Sequence, residues 1–284
     1  MNKKKQSKEN RNLLLVIDSD KKKRPLIDWR ELWQYKDLFL FLVWRDVKTR
    51  YAQSILGVGW AVIQPVFSMI VFTIVFGNLA KVNSEGVPYA IFSYTALVPW
   101  TFFSTSLTSA SGSLISSKNL ITKVYFPRLV IPISPVLGKM IDFGISFLIL
   151  LGLMVWFGMK PTIWALMIPV FILLMMLTAA GVGMWLTALS IQYRDIRYGS
   201  NFFVQLLMYA SPVIYPASSI PEQYQMIYAI NPMVGVIEGF RAALLGTRAM
   251  PWQSLIVGSV MAVVFFISGA LYFKSMERYF ADVA

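Results

Sequence analysis

Two residue types that carry much of protein chemistry are missing from this chain of 284 residues, which has no cysteine and no histidine. The absence of cysteine excludes disulfide bonds and thiolate chemistry. The absence of histidine removes the commonest general base and a common metal ligand. The chain also lacks a Gly-x-x-x-x-Gly-Lys-Ser/Thr loop for binding nucleotide phosphates and any spaced carboxylates that suggest hydrolysis. We therefore expect no catalytic site, no metal and no cofactor on this chain.

Charge is scarce as well, because only 14% of the residues are charged and 57% are hydrophobic. Six nearly uncharged stretches reach the ~20 residues that cross ~30 Å of hydrocarbon. In lipid such segments form helices, which satisfy their own backbone hydrogen bonds. The sequence therefore predicts an all-α integral membrane protein with six transmembrane helices: Ala52–Ala80, Tyr89–Ser117, Met140–Met159, Thr162–Tyr193, Tyr198–Pro221 and Met250–Phe273.

The net charge of +12 is distributed along the chain in a way that indicates topology. Basic residues cluster before the first stretch and after the second, fourth and sixth. The opposite loops hold only Lys81, Lys160, Arg241 and Arg248. By the positive-inside rule, both termini lie in the cytoplasm. This placement argues against a nucleic-acid partner, and it favours contact with anionic membrane lipids as a second role of the basic residues.

The sequence divides into three parts. Residues 1–27 are polar and basic, and we expect a disordered cytoplasmic tail. Residues 28–53 form an amphipathic helix that begins at a capping box of Asp28 and Glu31. Its tryptophans suit the headgroup region, so we expect it to lie along the cytoplasmic interface, either as an anchor only or also as a contact for a soluble partner. Residues 54–284 form the six-helix transmembrane domain.

Two connections carry more apolar residues than plain loops require. On the cytoplasmic side, a short amphipathic stretch within 116–132, ended by prolines at 127, 132 and 135, is typical of a docking helix for a partner. On the outer side, Pro221 to Pro251 contains two apolar runs separated by Asn231-Pro232, and neither run is long enough to span. Two half-inserted helices would fit there, and they suggest a plug or gate at the outer mouth.

Polar groups inside the bundle leave alternatives open. Lys139 and Asp142 lie three residues apart on one helix face, so we expect them to pair, and a proton relay is the alternative. The second stretch is rich in serine and threonine between Ser104 and Ser113. These small hydroxyl residues indicate either close helix packing or the lining of a wet path.

Several short motifs together resemble one known family. They are Arg45–Tyr51 followed by Leu56-Gly57 and Trp60–Pro65, then Val98–Trp100, Asn119–Ile121 with Lys123–Arg128, Tyr193–Arg197, Ser211–Pro216, and Asn231-Pro232 with Glu238–Arg241. In combination they resemble the permease subunit of bacterial ATP-binding-cassette polysaccharide exporters of the O-antigen or lipopolysaccharide type. The resemblance extends from Trp29 to Ala284.

This resemblance implies a multi-pass protein of the bacterial inner membrane. It implies a homodimer with a central channel and two copies of a cytoplasmic ATPase that binds ATP and Mg. The cargo would be a glycan on undecaprenyl diphosphate, with capsular polysaccharide or teichoic acid as the alternative. An ion-coupled secondary transporter is the rival class. The resemblance places the ATPase-coupling helix at Asn119, Leu120, Lys123, Tyr125, Phe126 and Arg128, and the outer gate at Asn231, Pro232, Glu238 and Arg241.

Two further sites follow from the chemistry of such a cargo. Aromatic rings offer flat apolar faces to sugars. The candidate channel-lining residues are Trp60, Phe67, Phe202, Phe203, Tyr209 and Tyr215, although such residues also pack or mark the membrane interface. A lipid diphosphate is bound by basic side chains at the inner leaflet. The candidates are Arg45, Lys48 and Arg50, for which topology and lipid contact are the alternative roles.

Overall fold

The computed structural model of the chain describes residues 33–52, 57–121, 123, 126–193 and 195–283, and within these ranges the side chains of 58, 119, 197 and 278–283 are not described. The structure is 81% helix, and no strand occurs in the described part of the chain. The predicted all-α class is therefore confirmed. The predicted tail, residues 1–27, and the capping box at Asp28 lie outside the described residues.

The described helices are numbered here in chain order. They are α1 (Lys36–Tyr51), α2 (Trp60–Phe72, continued by a π-helical turn over Thr73–Leu79), α3 (Tyr89–Ser111), α4 (Ser113–Ser116), α5 (Lys118–Ile121), α6 (Val130–Gly138), α7 (Met140–Trp156), α8 (Ile168–Gln192, preceded by a 3-10 turn over Ile163–Met167), α9 (Asp195–Tyr209), α10 (Glu222–Tyr228), α11 (Pro232–Leu244) and α12 (Trp252–Val283).

Four of the helical segments in the described chain are long and apolar enough to cross a membrane: Trp60–Leu79, Val130–Trp156, Ile163–Gln192 and Trp252–Glu277. They correspond to the first, third, fourth and sixth predicted spans. The count of six is not confirmed, because the second predicted span is too polar and the fifth too short. The fifth is helical only to Tyr209, 15 residues from Asp195, and at 1.5 Å per residue it covers roughly 22 Å.

The polarity of α3 follows from its place at the centre of the bundle. All residues from 91 to 100 are buried, and the helix packs against α2, α7, α8 and α11. Most of its hydroxyl groups with a known bond are satisfied by backbone carbonyls, as Thr95 is by the carbonyl of Ile91 at 2.7 Å. The buried hydroxyl of Ser106 is an exception, without a partner among the described residues. Thr187 of α8 donates to the carbonyl of Ala110 at 2.7 Å. A helix that its neighbours shield from lipid does not need apolar side chains on every face. Hydropathy alone can therefore fail to identify such a helix as a membrane span.

The third span begins ten residues earlier than predicted, at Val130, and it contains two of the prolines that were expected to end the cytoplasmic stretch. Pro132 lies in the first turn of α6, where a helix has no use for the missing N–H. Pro135 lies inside α6 and leaves the carbonyl of Ile131 without its usual backbone donor. The hydroxyl of Ser134 donates to that carbonyl at 3.2 Å, which compensates for the loss.

Helix α1 lies against α6 and exposes an apolar stripe. Leu42 and Val47 are buried, and α1 packs on α6. Trp33, which precedes α1, and Leu40, Phe41 and Trp44 are exposed. An exposed aromatic stripe beside charged residues suits the headgroup region of a bilayer, and the interfacial position of α1 stays a prediction.

The tightest helix contact joins α8 and α12. A Cβ atom on Gly181 would lie 2.5 Å from the carbonyl carbon of Phe265 and 2.5 Å from the backbone nitrogen of Phe266. Real Cβ atoms do not approach backbone so closely, so only glycine allows the two helices this contact. On α7, by contrast, a Cβ on Gly152 would meet nothing within 4 Å. The glycine of α8 is therefore a packing requirement, as small residues often are between membrane helices.

We expect Gly181→Val to push α8 away from α12. The free energy of unfolding should fall by ~1–3 kcal/mol, the usual cost of overpacking. The measurement is unfolding of the purified chain by SDS titration. Gly152→Val adds the same side chain at the open position and should leave the unfolding transition within ~0.5 kcal/mol of wild type. Equal stabilities of the two variants would contradict the close contact.

Candidate functional site

An ionic cluster joins the end of α1 to the start of α7. The carboxylate of Asp142 accepts from Arg50, with 2.8 Å between Nη1 and Oδ2, and from Lys139, with 3.3 Å between Nζ and Oδ2. The predicted Lys139–Asp142 pair is therefore confirmed. The hydroxyl of Tyr51 donates to the other carboxylate oxygen. Burial, and then the neighbouring Asp142, raise the pKa of Tyr51 to about 12, so this hydroxyl stays protonated.

A cavity of about 280 Å³ opens beside this cluster. It lies between α2, α3 and α7, and the side chains of Arg50, Tyr51, Lys139 and Asp142 form one end of it. The remaining polar lining comes from one amide and three hydroxyl residues, Gln64, Thr101, Thr105 and Ser146. The volume is far more than the ~10–15 Å³ that one ordered water needs. The arrangement offers a partly open cavity whose walls are mainly apolar and which has two cations in its lining.

The structure separates the three basic residues that were predicted to bind a lipid diphosphate. Arg45 pairs with Asp46 at 3.0 Å and also donates to the hydroxyl of Ser117 at 3.3 Å, so it points toward the inner loop. Lys48 is exposed. Arg50 alone of the three lines the cavity. Sequence reasoning missed that Arg50 and Tyr51 reach Asp142, about ninety residues further on.

Five of the six aromatic residues predicted to line a channel are exposed on a single copy of the chain: Trp60 and Phe67 on α2, and Phe202, Phe203 and Tyr209 on α9. The sixth, Tyr215, is half-buried. Its hydroxyl donates to the carbonyl of Tyr209 at 2.7 Å and accepts from Tyr228 at 3.3 Å. Tyr215 thus holds the end of α9 to α10, whereas the other five have free ring faces.

The predicted coupling segment is attached to the bundle by two of its own residues. Phe126 is only 4% exposed and packs with Leu42, Val130 and other buried residues at the inner end of the bundle. Arg128 donates to the carbonyl of Glu277 at 2.7 Å, which ties the segment to α12. Lys123 is exposed and Leu120 is partly exposed. The side chain of Asn119 and all of Tyr125 lie outside what the structure describes.

At the other end of the molecule, α10 and α11 meet at the predicted break. Asn231 caps α11, since its side-chain oxygen accepts from the backbone N–H of Met233 at 3.1 Å. Its amide nitrogen donates to the hydroxyl of Ser211 at 2.8 Å. Pro232 occupies the first position of α11, where its missing N–H costs nothing. The junction therefore also holds the segment that follows α9.

Two charged residues of α11 are buried together. The guanidinium of Arg241 lies 2.9 Å from the carboxylate of Glu238, donates to the carbonyl of Val213 at 3.1 Å and covers the ring of Phe92 at 3.6 Å. Glu238 also accepts from the N–H of Ala217 at 3.1 Å. Burial lowers the pKa of Arg241, and Glu238 opposes that shift. The sequence analysis did not predict this pair, although the spacing of three residues within an apolar run is a signal that could have found it.

A second contact at this end of the molecule joins the loop between α2 and α3 to the segment after α11. Glu85 pairs with Arg248 at 2.7 Å between Oε1 and Nε, and Ser218 donates to the same carboxylate at 3.1 Å. Together with the Glu238–Arg241 pair, this contact fastens the segment 211–218 from two sides. This end of the molecule is thus a hydrogen-bonded cap built by α3, α11 and the two connections around them.

With this geometry in view, comparison with known proteins defines the class. Residues 37–245 match the ABC-2 type transporter family. Because this is more than half of the chain, the chain belongs to that family. The match and the four apolar helices confirm the predicted multi-pass inner-membrane placement, and the chain is a transporter permease subunit.

Similar proteins agree on the kind of permease. The O-antigen export system permease protein RfbA of Myxococcus xanthus is 30% identical over 255 residues, which cover 89% of this chain and 97% of that protein. An RfbA of Klebsiella pneumoniae is 28% identical over 251 residues, with 87% and 95% covered. The polysialic acid transport protein KpsM of Escherichia coli is 25% identical over 245 residues, with 84% and 92% covered. The predicted resemblance to polysaccharide-exporter permeases is confirmed.

We expect Arg241→Met to leave Glu238 buried without its cation and to cost ~3–5 kcal/mol of unfolding free energy, as breaking a buried ion pair usually does. The double variant Glu238→Gln with Arg241→Met removes both charges and should recover a large part of that loss. Lys160→Met, at an exposed cation, should change stability by less than ~0.5 kcal/mol. SDS titration of the four purified proteins measures this. A double variant no more stable than Arg241→Met would contradict the pairing.

Proposed function

We propose that this chain is the transmembrane subunit of an ATP-driven exporter that moves lipid-linked polysaccharide, O-antigen on undecaprenyl diphosphate, across the inner membrane. The observation that carries the proposal is the family match together with relatives named as O-antigen export permeases, aligned over 95% or more of their length. Export of capsular polysaccharide or teichoic acid by the same mechanism is the alternative. Of these two alternatives, export of capsular polysaccharide is supported by the similarity to a polysialic acid transport protein and to a capsule polysaccharide export protein.

The chain is proposed to act as a homodimer with six crossings per copy and both termini in the cytoplasm. Two copies of a separate ATPase, which bind ATP and Mg, would supply the energy. The exposed aromatic face of α9 supports the dimer, because a channel along one copy would need a second wall. The distribution of basic residues supports the orientation.

An ion-coupled secondary transporter fits the described spans less well. The only carboxylate inside the four apolar segments of the described chain, apart from Glu277 at the end of the last, is Asp142. It is held by Arg50, Lys139 and Tyr51 together. Both of its oxygens are held by partners inside the protein, so it is poorly placed to bind and release a transported ion. External power from an ATPase therefore accounts better for transport.

Coupling to the ATPase is proposed to involve the segment from Asn119 to Arg128. The exposed Lys123 and the partly exposed Leu120 are available to contact a partner. Phe126 and Arg128 instead attach the segment to the bundle. Such a division suits a lever, because one side must bind the partner while the other transmits its movement to α6 and α12.

The coupling proposal and the function are tested by the same experiment. Tagged permease is co-expressed with the ATPase from the same source, and both co-purification and export of the polymer to the outer face are measured. We expect Lys123→Glu and Leu120→Asp to reduce ATPase retention by about tenfold or more, equivalent to at least ~1.4 kcal/mol, and to reduce export in parallel.

Lys160→Glu makes the same charge reversal at an exposed position on the proposed outer side and should retain both activities. Export that continues without the ATPase and stops with an ionophore would instead establish a secondary transporter. Retention of the ATPase by both variants at the wild-type level would contradict the coupling segment but would leave the export function in place.

The outer gate is proposed to consist of α10 and α11, which meet at Asn231-Pro232. Helix α11 is buried along its whole length and is held by the Glu238–Arg241 pair. Helix α10, in contrast, has no buried residue. The fixed helix would act as the frame and α10 as the movable part, which would close the mouth of the dimer when no cargo is present.

We expect deletion of residues 223–230, which removes most of α10, to let ions leak through the resting protein. The physical reason is that a pore wide enough for a glycan conducts ions unless it is blocked. Conductance of vesicles that contain the purified deletion variant measures this, with Gly152→Val protein as the intact control. A monodisperse deletion variant that stays impermeable would show that α10 is not the seal.

A further inference from the structure

The cluster around Asp142 holds more positive than negative charge. Arg50 and Lys139 both bond to the same oxygen of Asp142, and Tyr51 occupies the other. No other carboxylate pairs with either cation among the residues that the structure describes. All three charged side chains are largely buried, with 24%, 11% and 20% of their side-chain surfaces exposed. The cluster therefore carries a net charge of +1 in a setting with little solvent to screen it.

This excess charge faces a partly open space. The cavity of about 280 Å³ is also lined by Gln64 and Thr101, and by apolar residues such as Phe102 and Phe143. The amide of Gln64 and the hydroxyl of Thr101 can donate hydrogen bonds to an anion, whereas the hydroxyl of Thr105 already donates to the carbonyl of Thr101 at 2.7 Å. Two cations can hold an anion by charge-assisted hydrogen bonds. The space, the donors and the uncompensated charge are the three features that an anion site requires.

The position of the cavity indicates where the anion comes from. One wall is the start of α2, where Trp60 and Gln64 are exposed on the outside of the bundle. Helix α2 is the least buried of the four apolar segments, so this wall borders the bilayer. The other end of the cavity adjoins α1, which has the character of an interfacial helix. A group that reaches the cavity from this boundary is the headgroup of a lipid.

We propose that this cavity binds the phosphate group of an anionic lipid headgroup, with Arg50 and Lys139 as the cationic ligands and Asp142 as the group that sets their spacing. Asp142 then limits the affinity as well, since it competes with the phosphate for both cations. Arg45 takes no part, because it is committed to Asp46 and Ser117. The shared chemistry fits either a bilayer phospholipid or the diphosphate of a carrier lipid.

The test measures lipid that remains on the purified full-length chain after delipidation, by native mass spectrometry. The probes are phosphatidylglycerol, farnesyl diphosphate and neutral phosphatidylcholine. We expect both anionic probes to be retained above phosphatidylcholine. Arg50→Gln and Lys139→Gln should each reduce this retention by roughly tenfold or more, the value of a hydrogen bond to a charged group. Lys36→Gln removes an exposed cation from the same helix and should have no effect.

The decisive variant is Asp142→Asn, which keeps an oxygen for Tyr51 but releases both cations. A binding site predicts more anionic lipid on this variant than on wild type. A purely structural ion cluster predicts the same loss as in Arg50→Gln, and that result would overturn the proposal. If Asp142→Asn does not fold, Lys139→Arg is compared with Lys139→Gln. Retention of the anionic lipid by Lys139→Arg but not by Lys139→Gln supports the site, and equal loss of the lipid from both variants overturns it.

The probes also separate the sources of phosphate. Stronger retention of farnesyl diphosphate assigns the site to the carrier lipid, and equal or stronger retention of phosphatidylglycerol assigns it to the bilayer. Displacement of either lipid by an equal concentration of inorganic diphosphate would overturn the headgroup assignment. The carrier reading rests on the proposed export function. Binding is measured without the ATPase or transport, so a negative result would count against this cavity and not against export.

Discussion

The fold depends on one constraint, which is that polar groups placed at the centre of a membrane bundle must find their partners within the protein. Helix α3 meets it by three kinds of contact. Its own hydroxyls bond back to its carbonyls, as Thr95 does. Hydroxyls of α8 donate to the carbonyls of Ala110 and Ser111 at its inner end. Tyr89 at its outer end reaches the carbonyl of Ile214 at 2.7 Å. Since these bonds link α3 to α8 and to the segment after α9, the polar helix organises the apolar ones.

The charged groups follow the same constraint at the two ends of the bundle. At one end, Asp142 fixes the end of α1 through Arg50. At the other end, Arg241 and Glu238 fix the segment 213–217 through backbone groups. The two clusters differ in net charge, however. The Glu238–Arg241 pair is neutral and fully enclosed, which suits a structural role. The Asp142 cluster has an extra cation and an adjoining cavity, which suits the proposed role in binding.

The sequence predicted the features that depend on neighbouring residues of the chain. It did not predict the contacts between residues that are far apart in the chain. Span length and apolar content are local, so four spans were found, with boundaries shifted at Val130 by the tolerated prolines of α6. Helical spacing is local too, and it identified the Lys139–Asp142 pair three residues apart. The link from Arg50 to Asp142 crosses about ninety residues and has no local signal. The polarity of α3 likewise cannot be judged without knowing that other helices cover it.

The weakly covered helix α9 has a bearing on the proposed homodimer. It exposes Asn201 and Gln205 on the same turns as Phe202 and Leu206. Lipid tails cover apolar side chains just as effectively as a protein partner does. Apolar contact alone therefore provides no reason for two copies to associate. Lipid would leave the amides without hydrogen-bond partners, and that is costly. The face of α9 therefore needs protein or water against it, and this need supports the proposed homodimer, in which a second copy that encloses an aqueous path would supply both.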